Sequence, residues 1–180
     1  KGSESGAQPL RDAVKVLNHL DIKFGYLAED EPCCGGLLHY IGLQKQFTEH
    51  ARGARDRLKA KGVKRIISII PSCTQTLRSQ IASIVPDNDL EVKHFTEVVS
   101  EKISSVELRF PRQVKVAYHD PCQLVRYMGL TDEPRQILRA IKGIELVEPE
   151  WAKEEWATCC GGGGGFEAVF PELSQILAVN

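Results

Sequence analysis

Apolar residues recur along this chain with two different spacings, and the two spacings alternate. Between residues 8 and 20 they lie three or four positions apart, which is typical of a helix that buries one face. Between residues 63 and 70 they are nearly continuous and β-branched, as in a strand buried on both faces of a parallel sheet. The same reasoning predicts helices at 8–20, 43–61, 74–85, 133–141 and 171–178, strands at 22–27, 63–70, 114–118 and 144–147, and a strand that runs into a helix at 91–99.

The order of these elements indicates the fold class. Strands that alternate with helices pair in parallel through crossover connections, and such sheets bind ligands beyond the carboxyl ends of their strands. The order strand, cysteine-containing loop and helix occurs once in residues 1–88 and again in residues 89–180. We therefore predict an α/β fold with parallel sheets, built as a pseudo-twofold repeat of two Rossmann-like βα halves, with these two ranges as its domains.

Cysteine is the residue type whose placement indicates chemistry. The six cysteines form two groups of three, Cys33, Cys34 and Cys73 in the first half and Cys122, Cys159 and Cys160 in the second. Adjacent cysteines are poor disulfide partners, because their Cα atoms are only about 3.8 Å apart. Two neighbouring thiolates can, however, reach one inorganic cluster, and the glycines after each pair let the backbone adopt positive φ. We interpret the two groups as iron–sulfur sites.

Two other interpretations of the cysteines remain open at this point. Two structural zinc sites of three cysteines each could be completed by His39 and His119, although adjacent pairs are atypical of zinc sites. A redox-active dithiol without a metal is the other alternative. A disulfide-rich secreted scaffold does not fit this arrangement, so we expect a reducing, cytoplasmic setting.

Composition narrows the classes of function. The net charge is −1, so no nucleic-acid partner is expected. The longest apolar runs are far shorter than the roughly 18 residues of a membrane span. The only methionine is Met128, so we expect this chain to be a piece of a longer protein.

Three segments carry a resemblance to a known family. They are Glu31-Pro-Cys-Cys-Gly-Gly36, Tyr118-His-Asp-Pro-Cys122 and Cys159-Cys-Gly-Gly-Gly-Gly-Gly165. With them, nearly the whole chain resembles the cysteine-rich CCG domain of the heterodisulfide reductase catalytic subunit, of the B or D type, and of related iron–sulfur subunits. The family repeat is a cysteine, a spacer, Cys-Cys-Gly, a second spacer and Cys-x-x-Cys, and it usually occurs twice.

The chain departs from that repeat at three places. The leading cysteine of the first repeat would lie upstream of Lys1, and the Cys-x-x-Cys of the second repeat would lie beyond Asn180. The segment Cys73-Thr-Gln-Thr76 ends in a threonine, which cannot supply a thiolate. We therefore expect the repeats to be incomplete, the first at its N-terminal side and the second at its C-terminal side.

The resemblance implies a cofactor and a ligand set. Complete motifs of the family bind a non-cubane [4Fe–4S] cluster through cysteine. The expected cofactor and metal ligands are Cys122, Cys159 and Cys160 in the second repeat and Cys33, Cys34 and Cys73 in the first. The first repeat could instead hold a cluster with fewer ligands, a zinc ion or no metal.

The implied function is that of an iron–sulfur oxidoreductase subunit that reduces a disulfide or relays electrons. Alternatives are the electron-transfer subunit of a flavin-dependent complex that oxidises glycolate, lactate or glycerol-3-phosphate, and a zinc-stabilised module without catalysis. The implied partners are a flavoprotein, ferredoxin-like or membrane cytochrome subunit, with a disulfide or thiol as substrate. The expected location is the cytoplasm, alone or attached to the membrane through a partner subunit.

Side chains near the cysteines suggest further roles. His119 precedes Cys122 by three residues, and histidine titrates near neutral pH, so His119 is the candidate catalytic proton donor to a departing thiolate. In the competing interpretation Asp120 caps the following turn and His119 packs at the strand end. For Arg126 we favour an ion pair with a carboxylate over binding of an anionic substrate. The sequence also predicts plain surface positions, at His19, His50 and His94.

Overall fold

The computed structural model describes residues 4–86 and 89–179. The strands in these ranges are Arg65–Ser68 (β1), Glu91–His94 (β2), Leu108–Ala117 (β3) and Ile141–Val147 (β4). The α-helices are Glu4–His19 (α1), Gly36–Tyr40 (α2), Gln44–Ala60 (α3), Pro71–Gln75 (α4), Ile81–Ile84 (α5), Phe95–Ser100 (α6), Cys122–Met128 (α7), Asp132–Ala140 (α8), Phe166–Val169 (α9) and Pro171–Val179 (α10).

The strands form two separate parallel sheets of two strands each. β1 pairs with β2, with Ile66 opposite Val92, and β3 pairs with β4, with Val116 opposite Leu146. The first pair is connected through α4, a π-helical segment at Thr76–Gln80 and α5, and the second through α7 and α8. The α/β class and the parallel pairing are confirmed. A repeat of two Rossmann-like halves would need larger sheets than these two-stranded ones. The repeat therefore remains a prediction.

The predicted strand at 22–27 was wrong. At the end of α1 the residue Asp21 has a φ of 51°, and the amide of Ile22 donates to the carbonyl of Leu17 at 2.9 Å. In this helix-ending turn the amide of Ile22 is already bonded to the helix, so it cannot pair with a neighbouring strand. Farther along, Tyr26 is 75% exposed. In the described part of the chain no strand pairs with this segment.

Two apolar cores lie beneath the helices. In the first, Phe47 and Ala51 of α3 pack with Ile81 of α5. In the second, Leu20, just beyond α1, packs with Val99 and Ile103. α1 also contacts α6 directly, so the first helix of the chain packs against elements from beyond residue 89. The predicted boundary at residue 88 lies outside the described residues, and the division into two domains remains a prediction.

The carboxyl ends of β1 and β3 position the cysteine-bearing helices. Cys73 lies in the first turn of α4, just after β1, and Cys122 begins α7, just after β3. α4 and α7 pack against each other. The placement of both cysteines just beyond strand ends, as predicted, is confirmed, and the packing brings the two helices that carry Cys73 and Cys122 into contact. None of the helices over residues 4–86 and 89–179 is long and apolar enough to cross a membrane.

Candidate metal centre

The first cysteine group assembles from two distant parts of the chain. Cys34 lies just before α2 and Cys73 in α4, yet their Sγ atoms are 3.2 Å apart and hydrogen-bonded. Cys33 is exposed, whereas Cys34 and Cys73 are half-buried, and all three are free thiols. The fold therefore brings this predicted group together.

The contact between Cys34 and Cys73 changes how readily the two thiols ionise. The hydrogen bond with Cys73 lowers the pKa of Cys34 to about 6. The same hydrogen bond and burial raise the pKa of Cys73. The pair therefore loses its first proton easily and holds its second, because the remaining S–H stabilises the neighbouring thiolate. A site with one ready thiolate is suited to binding a metal.

The two Cys-Cys-Gly loops have the same local conformation. Gly35 and Gly161 both have a φ of 75°. In each loop the glycine amide points to the sulfur of the first cysteine of its pair, at 3.4 Å from Cys33 Sγ and 3.4 Å from Cys159 Sγ. Backbone N–H groups directed at cysteine sulfurs are the donors that tune iron–sulfur centres. The positive φ expected from sequence for the glycine after each cysteine pair is confirmed at Gly35 and Gly161.

The second cysteine group also converges. Burial raises the pKa of Cys122, and the thiolate charges of Cys159 and Cys160 raise it further, while the guanidinium of Arg126 opposes them. Cys122 and Cys159 are half-buried, and Cys160 is exposed. The three thiols therefore lie close enough to interact electrostatically, as the sequence predicts.

Backbone contacts hold the loop of the second group from both sides. Before the cysteine pair, Arg126 donates to the carbonyl oxygens of Glu155 at 3.1 Å and Ala157 at 2.6 Å. After the pair, the buried Ser174 of α10 donates from Oγ to the carbonyl of Gly161 at 3.0 Å. The carboxylate partner favoured for Arg126 from sequence was wrong, because this guanidinium bonds to backbone oxygens instead.

A buried ion pair anchors the turn that leads to Cys122. Asp120 is fully buried, and its two oxygens accept from Arg135 at 2.9 and 2.7 Å and from the amide of Glu154 at 2.7 Å. Arg135 also donates to Glu148 at 2.6 Å and lies over the ring of Tyr118. Burial alone would raise the pKa of Asp120, but Arg135 and the Glu154 amide hold it below its ordinary value. The predicted capping role of Asp120 was wrong, since no side chain caps the start of α7.

The histidines occupy different environments. His119 is exposed at the end of β3. His39 bonds through Nδ1 to Gln44 at 3.2 Å and packs on Phe47, with ring centroids 5.2 Å apart. His94 is buried and caps α6, contrary to the surface position expected for it.

His50 was missed by the sequence reasoning. Its Nε2 hydrogen-bonds to the carbonyl oxygen of Cys33 at 2.7 Å, and its ring lies where a side chain on Gly35 would be. A signal was available in the helical spacing of α3. His50 follows Phe47 by three positions and precedes Ala54 by four, so it lies on the face that is buried.

Thr76 stands where the repeat that the chain resembles has its last cysteine. It is fully buried, and its hydroxyl donates to the carbonyl of Ser72 at 2.8 Å. The same hydroxyl lies 2.5 Å from where a Cβ on Gly36 would be. Thr76 therefore faces the first cysteine loop but offers it a hydroxyl that is already bonded to the helix.

The donor set fits an iron–sulfur group by its chemistry. Each group offers three free thiols and a glycine amide aimed at a sulfur. Within residues 4–86 and 89–179, no group of three or more His, Cys, Asp and Glu side chains has the spacing of ligands around a single metal ion. By their chemistry, the three thiols of each group are the residues that would hold an iron–sulfur group.

Comparison with curated proteins finds redox subunits. The chain is 34% identical to the D-type subunit of the dihydromethanophenazine:CoB–CoM heterodisulfide reductase of Methanosarcina mazei, over 92% of this chain and 42% of that protein. It is 34% identical to the EtfAB:quinone oxidoreductase of Syntrophomonas wolfei, over 93% of this chain and 24% of that protein. It is 35% identical to the probable iron-sulfur-binding oxidoreductase FadF of Bacillus subtilis, over 93% of this chain and 25% of that protein.

The chain thus spans about two fifths of the first relative and about a quarter of the other two. These similarities support a redox role and an iron–sulfur group. Comparison with solved structures finds no match.

The CCG model of the cysteine-rich domain matches residues 2–78 and 116–180, which include all six cysteines and both glycine loops. The chain belongs to the CCG cysteine-rich domain family.

Proposed function

We propose that this chain is the cofactor-binding part of an iron–sulfur redox subunit of the heterodisulfide reductase type. The observation that carries the proposal is the shared geometry of the two Cys-Cys-Gly loops, in each of which a glycine with a φ of 75° points its amide at the sulfur of the first cysteine, 3.4 Å away. The similarity to a D-type subunit of heterodisulfide reductase supports it. The intact protein is then an oxidoreductase subunit that reduces a disulfide or passes electrons on.

The cysteines are the proposed ligands. Cys122, Cys159 and Cys160 would hold a [4Fe–4S] cluster, and Cys33, Cys34 and Cys73 would form a second site for a cluster with fewer ligands or a zinc ion. When bound, an iron–sulfur cluster supplies electrons one at a time. The two related loops are also the best support for the proposal that the chain is an internal repeat of two βα halves, with domains 1–88 and 89–180.

His119 is the proposed proton donor. Reduction of a disulfide R–S–S–R takes up two electrons and two protons and releases two thiols. His119 is exposed and lies three residues before Cys122, so it can take protons from water and deliver them to a departing thiolate. The electrons would come from a flavoprotein, ferredoxin-like or membrane cytochrome subunit. The proposed location is the cytoplasm, with attachment to the membrane through such a partner.

Electron relay without substrate turnover is the second candidate function. The similarity to a protein named EtfAB:quinone oxidoreductase favours it, because that name describes transfer between two redox partners. Relay needs the cluster but no proton donor beside a substrate. The two candidates therefore differ in what loss of His119 should do.

Replacing Cys160 with serine in the intact, anaerobically purified protein is expected to remove the second cluster, because a hydroxyl is a poor ligand for iron. Iron and acid-labile sulfide per chain, together with EPR of the oxidised and reduced states, measure the loss. Four irons in the unchanged protein indicate one cluster, and eight indicate that the first group also holds one. Cys33→Ser is the matched control and should leave the second cluster in place. Iron and spectra unchanged in Cys160→Ser would contradict the ligand assignment.

Replacing His119 with glutamine is expected to lower the rate of disulfide reduction by about a hundredfold, with iron content unchanged. The assay supplies electrons from a reduced dye and measures thiols released from a small disulfide. His19→Gln, at an exposed position at the end of α1, is the control. Equal rates in the two variants would argue against a proton donor and favour electron relay.

A further inference from the structure

Arg126 joins the helix of Cys122 to the loop of the second cysteine pair. It follows Cys122 by four residues, so both side chains lie on one face of α7. Its Nε and Nη2 atoms donate to the carbonyls of Glu155 and Ala157, and Ala157 is fully buried. Ala157 directly precedes Thr158 and the cysteine pair, and Glu155 lies two residues before Ala157. One side chain therefore spans the two chain segments that supply the three thiols.

The geometry of this contact favours positioning over a purely electrostatic role. A guanidinium is a rigid, planar fork, and two carbonyls that it holds together cannot shift separately. On the far side of the pair, Ser174 holds the carbonyl of Gly161. With one contact before the pair and one after it, the path of the loop is fixed at both ends. The distance from Cys122 to the pair then depends on Arg126.

The first cysteine group has a different kind of residue at the position equivalent to Arg126. The residue four positions after Cys73 is Leu77, which packs against the apolar core of α3 and α5. Its cysteine loop is held instead by His50, from a different helix. The contact made by Arg126 is therefore not a general consequence of the loop conformation that the two groups share.

We propose that Arg126 is a positioning residue that sets the separation between Cys122 and the Cys159–Cys160 pair. The consequence for a bound cluster rests on the proposed function, whereas the consequence for the loop does not. Without Arg126 the loop loses two charge-assisted hydrogen bonds, and the three thiols no longer keep one arrangement. The thiol group then binds its cofactor less completely and in more than one geometry.

The test compares Arg126→Lys and Arg126→Met in the intact protein. Lysine keeps the charge, but a single ammonium cannot serve both carbonyls as the guanidinium does, so both variants should behave alike. In the cluster-free protein we expect hydrogen exchange at the amides of residues 157–161 to be about tenfold faster. In the loaded protein we expect iron at the second site to fall several-fold and its EPR signal to broaden. Arg112→Met, at an exposed position in β3, is the control and should change neither.

Two results would overturn the inference. One is normal exchange in both variants; the other is wild-type exchange and iron content in Arg126→Lys with loss only in Arg126→Met, which would assign Arg126 an electrostatic role. If the unchanged protein binds no iron, the proposed function fails. Faster exchange in both Arg126 variants would then still support the positioning role, so the two failures are distinguishable.

Discussion

Replacing Arg135 with methionine is expected to lower the free energy of unfolding by about 4 kcal/mol, because it leaves a buried carboxylate without its charge partner. Asp120 is fully buried and Arg135 is 2% exposed, so water cannot take over the lost contacts. The two hydrogen bonds to Asp120 at 2.9 and 2.7 Å are both lost, and Glu148 loses its hydrogen bond from Arg135 as well. Chemical denaturation of the cluster-free protein measures the change.

Two further variants show whether the buried charge is the cause. Arg139→Met, one turn farther along α8, removes a guanidinium that is 61% exposed and 3.5 Å from Glu148, so it should cost no more than about 0.5 kcal/mol. Replacing both partners, as in Asp120→Leu with Arg135→Met, should recover part of the stability, because no unpaired charge at Asp120 remains. A loss in Arg135→Met no larger than that in Arg139→Met would show that the pair is not the anchor of this turn.

The sequence predicted those parts of the fold that depend on local patterns. The helix predicted at 133–141 is observed as Asp132–Ala140, and the strand predicted at 144–147 is part of Ile141–Val147. Cys73 and Cys122 lie just beyond strand ends as expected, because a strand followed by a proline and a helix defines that position locally. The grouping of the cysteines came instead from their positions along the chain, with one adjacent pair and one single cysteine in each half.

The sequence did not predict the contacts that hold the cysteine loops. Arg126 and Ala157 are 31 positions apart, and His50 and Cys33 are 17 apart. Nothing in the spacing of charged residues distinguishes a guanidinium that binds backbone carbonyls from one that binds a carboxylate. Asp120 was misassigned for the same reason, because its partner Arg135 lies on α8, the second helix after it. The strand prediction at 22–27 was wrong because it rested on the apolar residues of the segment, whereas the turn that ends α1 determines the direction of the backbone there.

Replacing Gly161 with alanine is expected to destabilise the protein by about 3 kcal/mol, from two separate causes. A residue with a side chain is strained at a φ of 75°, at a cost of about 1–2 kcal/mol. The new Cβ would also lie 2.6 Å from the carbonyl oxygen of Ser174, which belongs to the backbone of α10 and cannot rotate away. Chemical denaturation measures the loss of stability. Iron content should fall in parallel, because the Gly161 amide faces Cys159.

Two other glycines of the same run separate these causes. Gly164 has a φ of 65°, and a Cβ added there would have no atom within 4 Å, so Gly164→Ala should show the strain alone, about 1 kcal/mol. Gly162 has no positive φ and would meet only Cys160 Sγ at 3.9 Å, so Gly162→Ala should change stability little. If Gly161→Ala costs no more than Gly164→Ala, then α10 does not press on the cysteine loop. If it costs more, the position of α10 determines that of the second thiol group, and a partner that moves α10 would also move Cys159.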